Sequence, residues 1–243
     1  MLQRARIRKS VQAWTPHDDQ MAGFYSQFVP AGSVCFDVGA NIGNRVKVFL
    51  KLGAKVVAVE PQRQCQRILR TLFQGDPNFT LVPQAMGAAE GQAEIAIADV
   101  STVSSMNVEW IEKVRSTGRF GDVQWSRKVT VPVTTLDKLI DAHGLPAFIK
   151  IDVEGYEYQV IQGLSRPVKA LSLEFTPEFL DSTFKCIDHL SNLGAVRINY
   201  SLGESMGFAS DDWLTAAEAK RDLETFRNRT DVFGDVYFRF DPA

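Results

Sequence analysis

The stretch Val34-Cys35-Phe36-Asp37-Val38-Gly39-Ala40-Asn41-Ile42-Gly43 constrains this chain more than any other. Its first residues read as a buried strand, the glycines punctuate a turn, and Asn44 to Leu52 continue in a helical pattern. A strand, a tight glycine turn and a helix N-terminus together make a site for a nucleotide-like ligand. Backbone N–H groups point at the ligand, and glycine lets the chain approach it closely. The spacing narrows the ligand further. A dinucleotide fingerprint is G-x-G-x-x-G, whereas this turn is D-x-G-x-x-x-G, with Asp37 ahead of Gly39 and Gly43. A carboxylate there repels a pyrophosphate but accepts hydrogen bonds from an amino group. S-adenosylmethionine (SAM) carries such a group and no phosphate, so the turn favours SAM over NAD.

A second acid points the same way. The run Ala54-Lys55-Val56-Val57-Ala58-Val59-Glu60-Pro61 is an apolar strand that ends in Glu60. In nucleoside-binding α/β folds an acid at the end of the second strand takes the ribose hydroxyls. Hydrogen bonds to a charged group are worth roughly 1.5–3 kcal/mol, enough to orient a nucleoside. Taken singly, Asp37 reads equally well as a helix cap and Glu60 as a solvated strand end. Two acids at the ends of successive strands weaken that bland alternative.

With 243 residues, 45% of them hydrophobic, and a formal net charge of −2, the chain suits one large α/β domain. The expected division is an N-terminal extension or helix over 1–30 and a catalytic domain over 31–243. Arg4, Arg6, Arg8 and Lys9 form a basic run without any wider basic stripe, so it reads as a solvated terminus rather than a nucleic-acid footprint. Membrane or RNA contact is the minor alternative. Cys35, Cys65 and Cys186 match no zinc or disulfide spacing and point to a reducing compartment. No apolar run has the length of a membrane span and no signal peptide is visible. The expectation is a soluble, cytoplasmic protein.

Short apolar runs alternate with helical patterns, which argues for βαβ units and a mainly parallel sheet. Strands are expected at Ser33–Asp37, Lys55–Glu60, Phe79–Pro83, Phe148–Val153, Ala170–Phe175, Ala195–Tyr200 and Asp235–Phe240. Helices are expected at Arg45–Leu52, Gln62–Phe73, Thr135–Ala142, Glu157–Leu164 and Pro177–Leu193, the last closed by Gly194 as a C-cap. Glu94–Ile97 and Val129–Val133 alternate like the arms of a small extra β-element. Two segments, 99–128 and 201–229, show no clear period and read as irregular, substrate-side insertions, the second part loop and part polar helix.

After the glycine turn, the segment Phe148-Ile149-Lys150-Ile151-Asp152-Val153-Glu154-Gly155-Tyr156-Glu157 carries the most chemistry. An apolar strand delivers Asp152 and Glu154 to its carboxyl end. In open α/β sheets the ligand crevice lies outside those ends. Asp37, Glu60 and Asp152 are therefore expected on one side of the sheet, joined by Glu174 at the end of Leu171-Ser172-Leu173-Glu174-Phe175. Glu154 reads equally well as a first-turn acid favoured by a helix dipole, and Glu157 as a helix-surface charge.

The combination of Asp37-Val38-Gly39-Ala40-Asn41-Ile42-Gly43, Thr134-Thr135-Leu136-Asp137 and Ile149-Lys150-Ile151-Asp152-Val153-Glu154-Gly155-Tyr156-Glu157 resembles the FkbM family of SAM-dependent methyltransferases. The likeness covers roughly Val34 to Phe175 and the terminal Tyr237-Phe238-Arg239-Phe240 strand. The resemblance implies an α/β fold with a Rossmann-like, seven-stranded class I methyltransferase sheet, helices on both faces, and methylation of a hydroxyl oxygen. It carries Gly39, Asn41 and Gly43 over as the SAM turn and Glu60 as the ribose acid. It also places Ala85 and Met86 near the adenine, and Ser104 and Ser105 near the cofactor.

Methyl transfer to oxygen needs nucleophile and methyl group in line, and removal of the hydroxyl proton, worth typically about 10²–10⁴ in rate. Asp152 is the first candidate base, with Glu154 beside it. A divalent metal is the other way to activate a hydroxyl, and Asp152, Glu154 and Glu174 supply oxygen ligands that suit Mg²⁺. The acceptor is expected to be a small molecule or glycan bearing a hydroxyl. Rival readings are a non-catalytic SAM-binding protein and, less well supported, an NAD-dependent oxidoreductase. His17, His143 and His189 read as surface or structural groups. Trp110, Trp125 and Trp213 either line an acceptor pocket or anchor the irregular segments to the core.

Overall fold

The computed structural model describes residue 11 and residues 13–241. The basic run Arg4, Arg6, Arg8 and Lys9 lies outside the described residues. Helix α1 (Pro16–Tyr25) leads into β1 (Val34–Val38), α2 (Asn44–Lys51), β2 (Lys55–Val59), α3 (Arg63–Phe73) and β3 (Phe79–Val82). Next come β4 (Ala85–Met86), β5 (Gly91–Ala98), α4 (Val108–Thr117), β6 (Trp125–Thr134) and α5 (Leu136–His143). The rest of the chain forms β7 (Phe148–Ile151), α6 (Glu157–Gln162), β8 (Ala170–Phe175), α7 (Leu180–Leu193), β9 (Val196–Leu202), α8 (Ala216–Glu224) and β10 (Gly234–Phe240).

Seven strands form one sheet in the order β3-β2-β1-β7-β8-β10-β9. All neighbours run parallel except β10, which is antiparallel to both β8 and β9. The chain winds outward from β1 to β3 and then crosses over to β7 on the other side. The order therefore reverses between β1 and β7, where a crevice opens at the strands' carboxyl ends.

The period of two along each strand builds the two layers. Phe36, Val38, Val57, Val59, Ile149 and Ile151 face one way and pack with Leu139 of α5, Val160 of α6, Ile187 and Leu190 of α7 and Leu223 of α8. Cys35, Val56, Ala58 and Phe148 face the other way and meet Phe24 and Tyr25 of α1, Val46 and Phe49 of α2 and Leu69 of α3. Each fully buried large apolar side chain contributes about 1.5–3 kcal/mol, so both faces of the central strands are committed to core. Helix α1 belongs to this second layer, with Met21 and Tyr25 at 2% and 0% exposure.

One expectation changes. The 99–128 segment holds a short 3-10 turn, Ser101–Val103, and helix α4, which buries Trp110, Ile111 and Val114. Asn107 caps its start by accepting from the Trp110 N–H, and Gly118 ends it in the left-handed region at φ 69°. Gly194 is the C-cap of α7 as expected, at φ 171° and ψ 177°, extended backbone that any residue adopts. The anticipated extra β-element forms a three-stranded sheet in the order β4-β6-β5, with Glu94 opposite Thr130 and Ile95 opposite Val129.

Candidate functional site

A cavity of about 250 Å³ lies at the carboxyl ends of β1, β2, β7 and β8. The glycine turn forms its floor. Gly39 has φ +84°, and a Cβ there would lie 1.8 Å from the Asp152 carbonyl oxygen, so any side chain would push the end of β7 away. The Gly39 and Ala40 N–H groups donate to the Val59 carbonyl, which ties the turn to β2. Asn41 is left-handed at φ 47°, a conformation that asparagine tolerates, and its N–H donates to Glu60 Oε2 at 2.8 Å. Gly43 is the N-cap of α2 and packs toward Phe73 and Leu69. It does not itself line the cavity, whereas Asn44 and Arg45 after it do.

Asp37 and Glu60 are each 2% exposed and both line the cavity. Glu60 Oε1 accepts from the Gln62 N–H at 2.6 Å, so each of its oxygens holds one backbone donor and keeps a lone pair for another. Burial nevertheless pushes Glu60 up to about 7 against those two donors. Asp37 Oδ2 is buried with no hydrogen-bond partner. Its burial outweighs the nearby cations Arg45 and Lys150 and also raises it to about 7. Ala85 and Met86 of β4 add apolar lining to the same cavity. Ser104 joins them, its hydroxyl donating to Gln62 Oε1 and accepting from the Ala98 N–H, both at 3.1 Å.

The strand ends of β7 and β8 bring Asp152, Glu154 and Glu174 together, with one oxygen from each within 4.8 Å of the others. Lys150, 1% exposed on β7, donates to Asp235 Oδ1 at 2.8 Å and to Asp152 Oδ2 at 3.3 Å. Burial, and then Glu174, push Glu154 well above the usual carboxyl range; burial, and then Asp152, do the same to Glu174. Glu154 sits at φ 54°, a strained conformation for a glutamate. The strain is held from the insertion: Ser105 Oγ donates to the Glu154 carbonyl at 2.6 Å and Asn107 Nδ2 to the Gly155 carbonyl at 2.6 Å. Gly155 is required there, because a Cβ would lie 2.3 Å from the Trp110 ring.

Several residues have positions the sequence did not suggest. Glu154 precedes α6 by three residues and faces the cavity, so it is not a first-turn acid. Glu157 is buried, not a surface charge: its Oε1 accepts from the Val153 and Gly155 N–H groups, both at 3.2 Å, and burial raises it to about 7. Ser105 stands behind Glu154 rather than on the cavity wall. The tryptophans anchor: Trp110 is core, the Trp125 indole donates to the Val103 carbonyl at 2.8 Å, and Trp213 packs on Phe208 and Arg239. None of the three lines the cavity, and neither do His17, His143 and His189.

Arg45, Glu204 and Lys150 also belong to the site, beyond the residues that the sequence predicts. For Arg45 the signal was a cation in the first turn of a helix, where the dipole disfavours it. For Lys150 it was a lone cation inside an otherwise apolar strand. Glu204, in the loop after β9, carries no local signal.

The family model described as the methyltransferase FkbM domain matches residues 37–198, well over half of the chain. No curated protein matches the sequence. Among solved structures, precorrin-6y C5,15-methyltransferase from Geobacter metallireducens GS-15 is similar at 11% identity and a TM-score of 0.48, over 91% of this chain and 87% of that one. A TehB-like SAM-dependent methyltransferase from Corynebacterium glutamicum is similar at 12% identity and a TM-score of 0.45, over 97% of this chain and 94% of that one. Likenesses this distant add nothing about the reaction. Among the described residues no helix is long and apolar enough to cross a membrane.

Proposed function

Because this chain belongs to the FkbM methyltransferase family, we propose that it transfers the methyl group of SAM to a hydroxyl oxygen of a small molecule or glycan. The observation that carries the oxygen assignment is the meeting of Asp152, Glu154 and Glu174 in the cavity that also holds the glycine turn. When bound, SAM supplies an electrophilic methyl group on a sulfonium. The residues that fit it are Glu60 for the ribose, Ala85, Met86 and Ser104 for the base, and Asp37 with the Gly39–Asn41 turn for the amino-acid end.

The chain's own part in the chemistry falls to Asp152. Lys150 holds its Oδ2, which leaves Oδ1 to accept the hydrogen bond of an acceptor hydroxyl and then its proton. Glu154, fixed by the Ser105 clamp, orients the same hydroxyl. The cluster also favours a second mode of activation, a divalent cation such as Mg²⁺ on Asp152, Glu154 and Glu174, since carboxylate oxygens suit it. Lys150 already balances one of these charges, so the base reading comes first.

Calorimetric titration with SAM, with NAD as the comparison ligand, tests the cofactor. An acceptor screen by release of S-adenosylhomocysteine then tests the oxygen. Saturable binding of SAM alone and turnover on hydroxyl compounds is the expected result. Methylation confined to amines, thiols or carbon acids would overturn the oxygen assignment. Full activity after EDTA treatment of metal-stripped protein would remove the cation.

A further inference from the structure

Six acids line the cavity, namely Asp37, Glu60, Asp152, Glu154, Glu174 and Glu204, and Arg45 is the one cation among the described residues that line it. SAM brings an α-carboxylate as well as its two positive centres, so a wall made of acids alone would repel part of the cofactor. Arg45 lies two residues past Gly43, in the first turn of α2, where the helix N-terminus also favours an anion.

The present partner of Arg45 is another carboxylate. Its Nη2 donates to Glu204 Oε1 at 3.1 Å, and Glu204 Oε2 lies 3.0 Å from His17 Nε2 on α1. Glu204 is itself about half exposed. Arg45 Nε, by contrast, is buried and has no acceptor. A guanidinium offers its donors as a planar fork that matches a carboxylate with two parallel hydrogen bonds. Glu204 uses one prong of that fork and leaves a buried donor unsatisfied, which costs free energy. Asp37 Oδ2 is the complementary case, a buried acceptor without a donor in the same cavity. An unsatisfied cationic donor and an unsatisfied acid acceptor together match the two ends of an α-amino acid.

The geometry points to Arg45 as the receptor of the SAM α-carboxylate, which it takes in exchange for Glu204, while Asp37 takes the α-ammonium group. The inference rests on SAM being the cofactor. It makes Arg45 a specificity residue: the site should select SAM over a sulfonium nucleoside that lacks the carboxylate.

The test is a calorimetric titration of wild type, Arg45→Gln, Arg45→Lys and Glu204→Gln with SAM and with decarboxylated SAM. Arg45→Gln should weaken SAM binding by about 10- to 100-fold, the value of a charge-assisted pair, and leave decarboxylated SAM unchanged. Arg45→Lys keeps the charge without the fork and should lose part of the SAM affinity, again without effect on the decarboxylated ligand. Glu204→Gln should tighten SAM, because the competing carboxylate is gone. An equal loss for both ligands in Arg45→Gln and Arg45→Lys would reduce Arg45 to a structural role and overturn the inference. Unchanged SAM affinity with a raised KM for the acceptor would give Arg45 to the acceptor instead. A wild-type protein that binds neither ligand would take down the cofactor reading and this inference with it, an outcome distinct from both.

Discussion

At one end of the cavity the Glu60 carboxylate gives one oxygen to the Asn41 N–H at 2.8 Å and the other to the Gln62 N–H at 2.6 Å. At the other end Asp152, Glu154 and Glu174 crowd their oxygens within 4.8 Å, with a single ammonium, Lys150, in contact. The first acid is held by backbone donors, which oppose only part of what burial costs it. The second group is held by side chains, Lys150 on Asp152 and Ser105 on the Glu154 carbonyl, and three carboxyl groups face one another there. A binding site needs only the first arrangement. Groups that move protons are commonly found in the second, where burial and like-charge neighbours raise Glu154 and Glu174.

The sharpest way to break that contrast is Asp152→Asn. If proton removal belongs to the crowded end alone, turnover should fall by about 10²- to 10⁴-fold while SAM affinity stays near wild type. Rates of S-adenosylhomocysteine release and calorimetric titration on the same preparation separate the two. A variant that turns over normally would remove Asp152 as the base.

Lys150→Met attacks the single cation of the crowded end. It strands Asp152 and Asp235 beside each other without their ammonium, and breaking a buried ion pair from one side costs about 3–5 kcal/mol. A matching drop in urea-unfolding stability is expected, with part of it recovered in Lys150→Met/Asp235→Asn, where one stranded charge is gone. No drop in the single variant would mean that Lys150 contributes nothing net, and that the two ends differ less than their geometry indicates.

How far this contrast was legible in the sequence differs between the two ends. The glycine turn and Glu60 are local: a strand, a turn and an acid at a strand end within 27 residues of Val34, a pattern that spacing alone can show. The strand order and the convergence of Asp37, Glu60, Asp152 and Glu174 followed from alternation and from where crevices open in parallel sheets. What was hidden depends on how the backbone turns and on partners that spacing does not show. Glu157 looks like a surface charge on a helix until the Val153 and Gly155 N–H groups are seen to close on it. Ser105 acts through a carbonyl 49 residues on. Helix α4 was masked for another reason: Glu109, Glu112, Lys113 and Arg115 blur a stripe of only three buried residues, although its Asn107 cap and Gly118 stop were both present.

Glu60→Gln probes the quieter end. Glu60 rises from 4.5 to about 7 on folding, so the folded protein binds its proton more tightly than the unfolded chain does. Its contribution to stability is therefore full below about 4.5 and is lost as pH rises toward about 7. Ribose hydroxyls donate to the ionised form, so SAM affinity should climb across that upper value in wild type. In Glu60→Gln the climb should become shallower, with Asp37, itself at about 7, supplying the rest, and affinity at pH 8 should drop by at least several-fold, since a hydrogen bond to a charged group is worth roughly 1.5–3 kcal/mol. Calorimetry across pH 6 to 8 checks both, and an unchanged slope would remove Glu60 from the ribose site.

Ser105→Ala is the gentlest cut and tests whether the two ends are coupled through the insertion. The hydroxyl it removes is the donor to the Glu154 carbonyl, at a residue held at φ 54°. A neutral hydrogen bond contributes about 0.5–1.5 kcal/mol, so the loss of stability should be small. The same hydroxyl also accepts from the Asn107 N–H at 2.9 Å, and Asn107 caps α4; its side chain still holds the Gly155 carbonyl, so the turn has a second restraint. The expected outcome is a fall of up to about tenfold in kcat, the rate equivalent of about 1.4 kcal/mol, with SAM affinity unchanged because Ser105 stands off the cavity wall. If SAM affinity falls instead and kcat holds, Ser105 serves the cofactor end through its neighbour Ser104, and the division between a binding end held by backbone donors and a reactive end held by side chains has to be redrawn across the insertion.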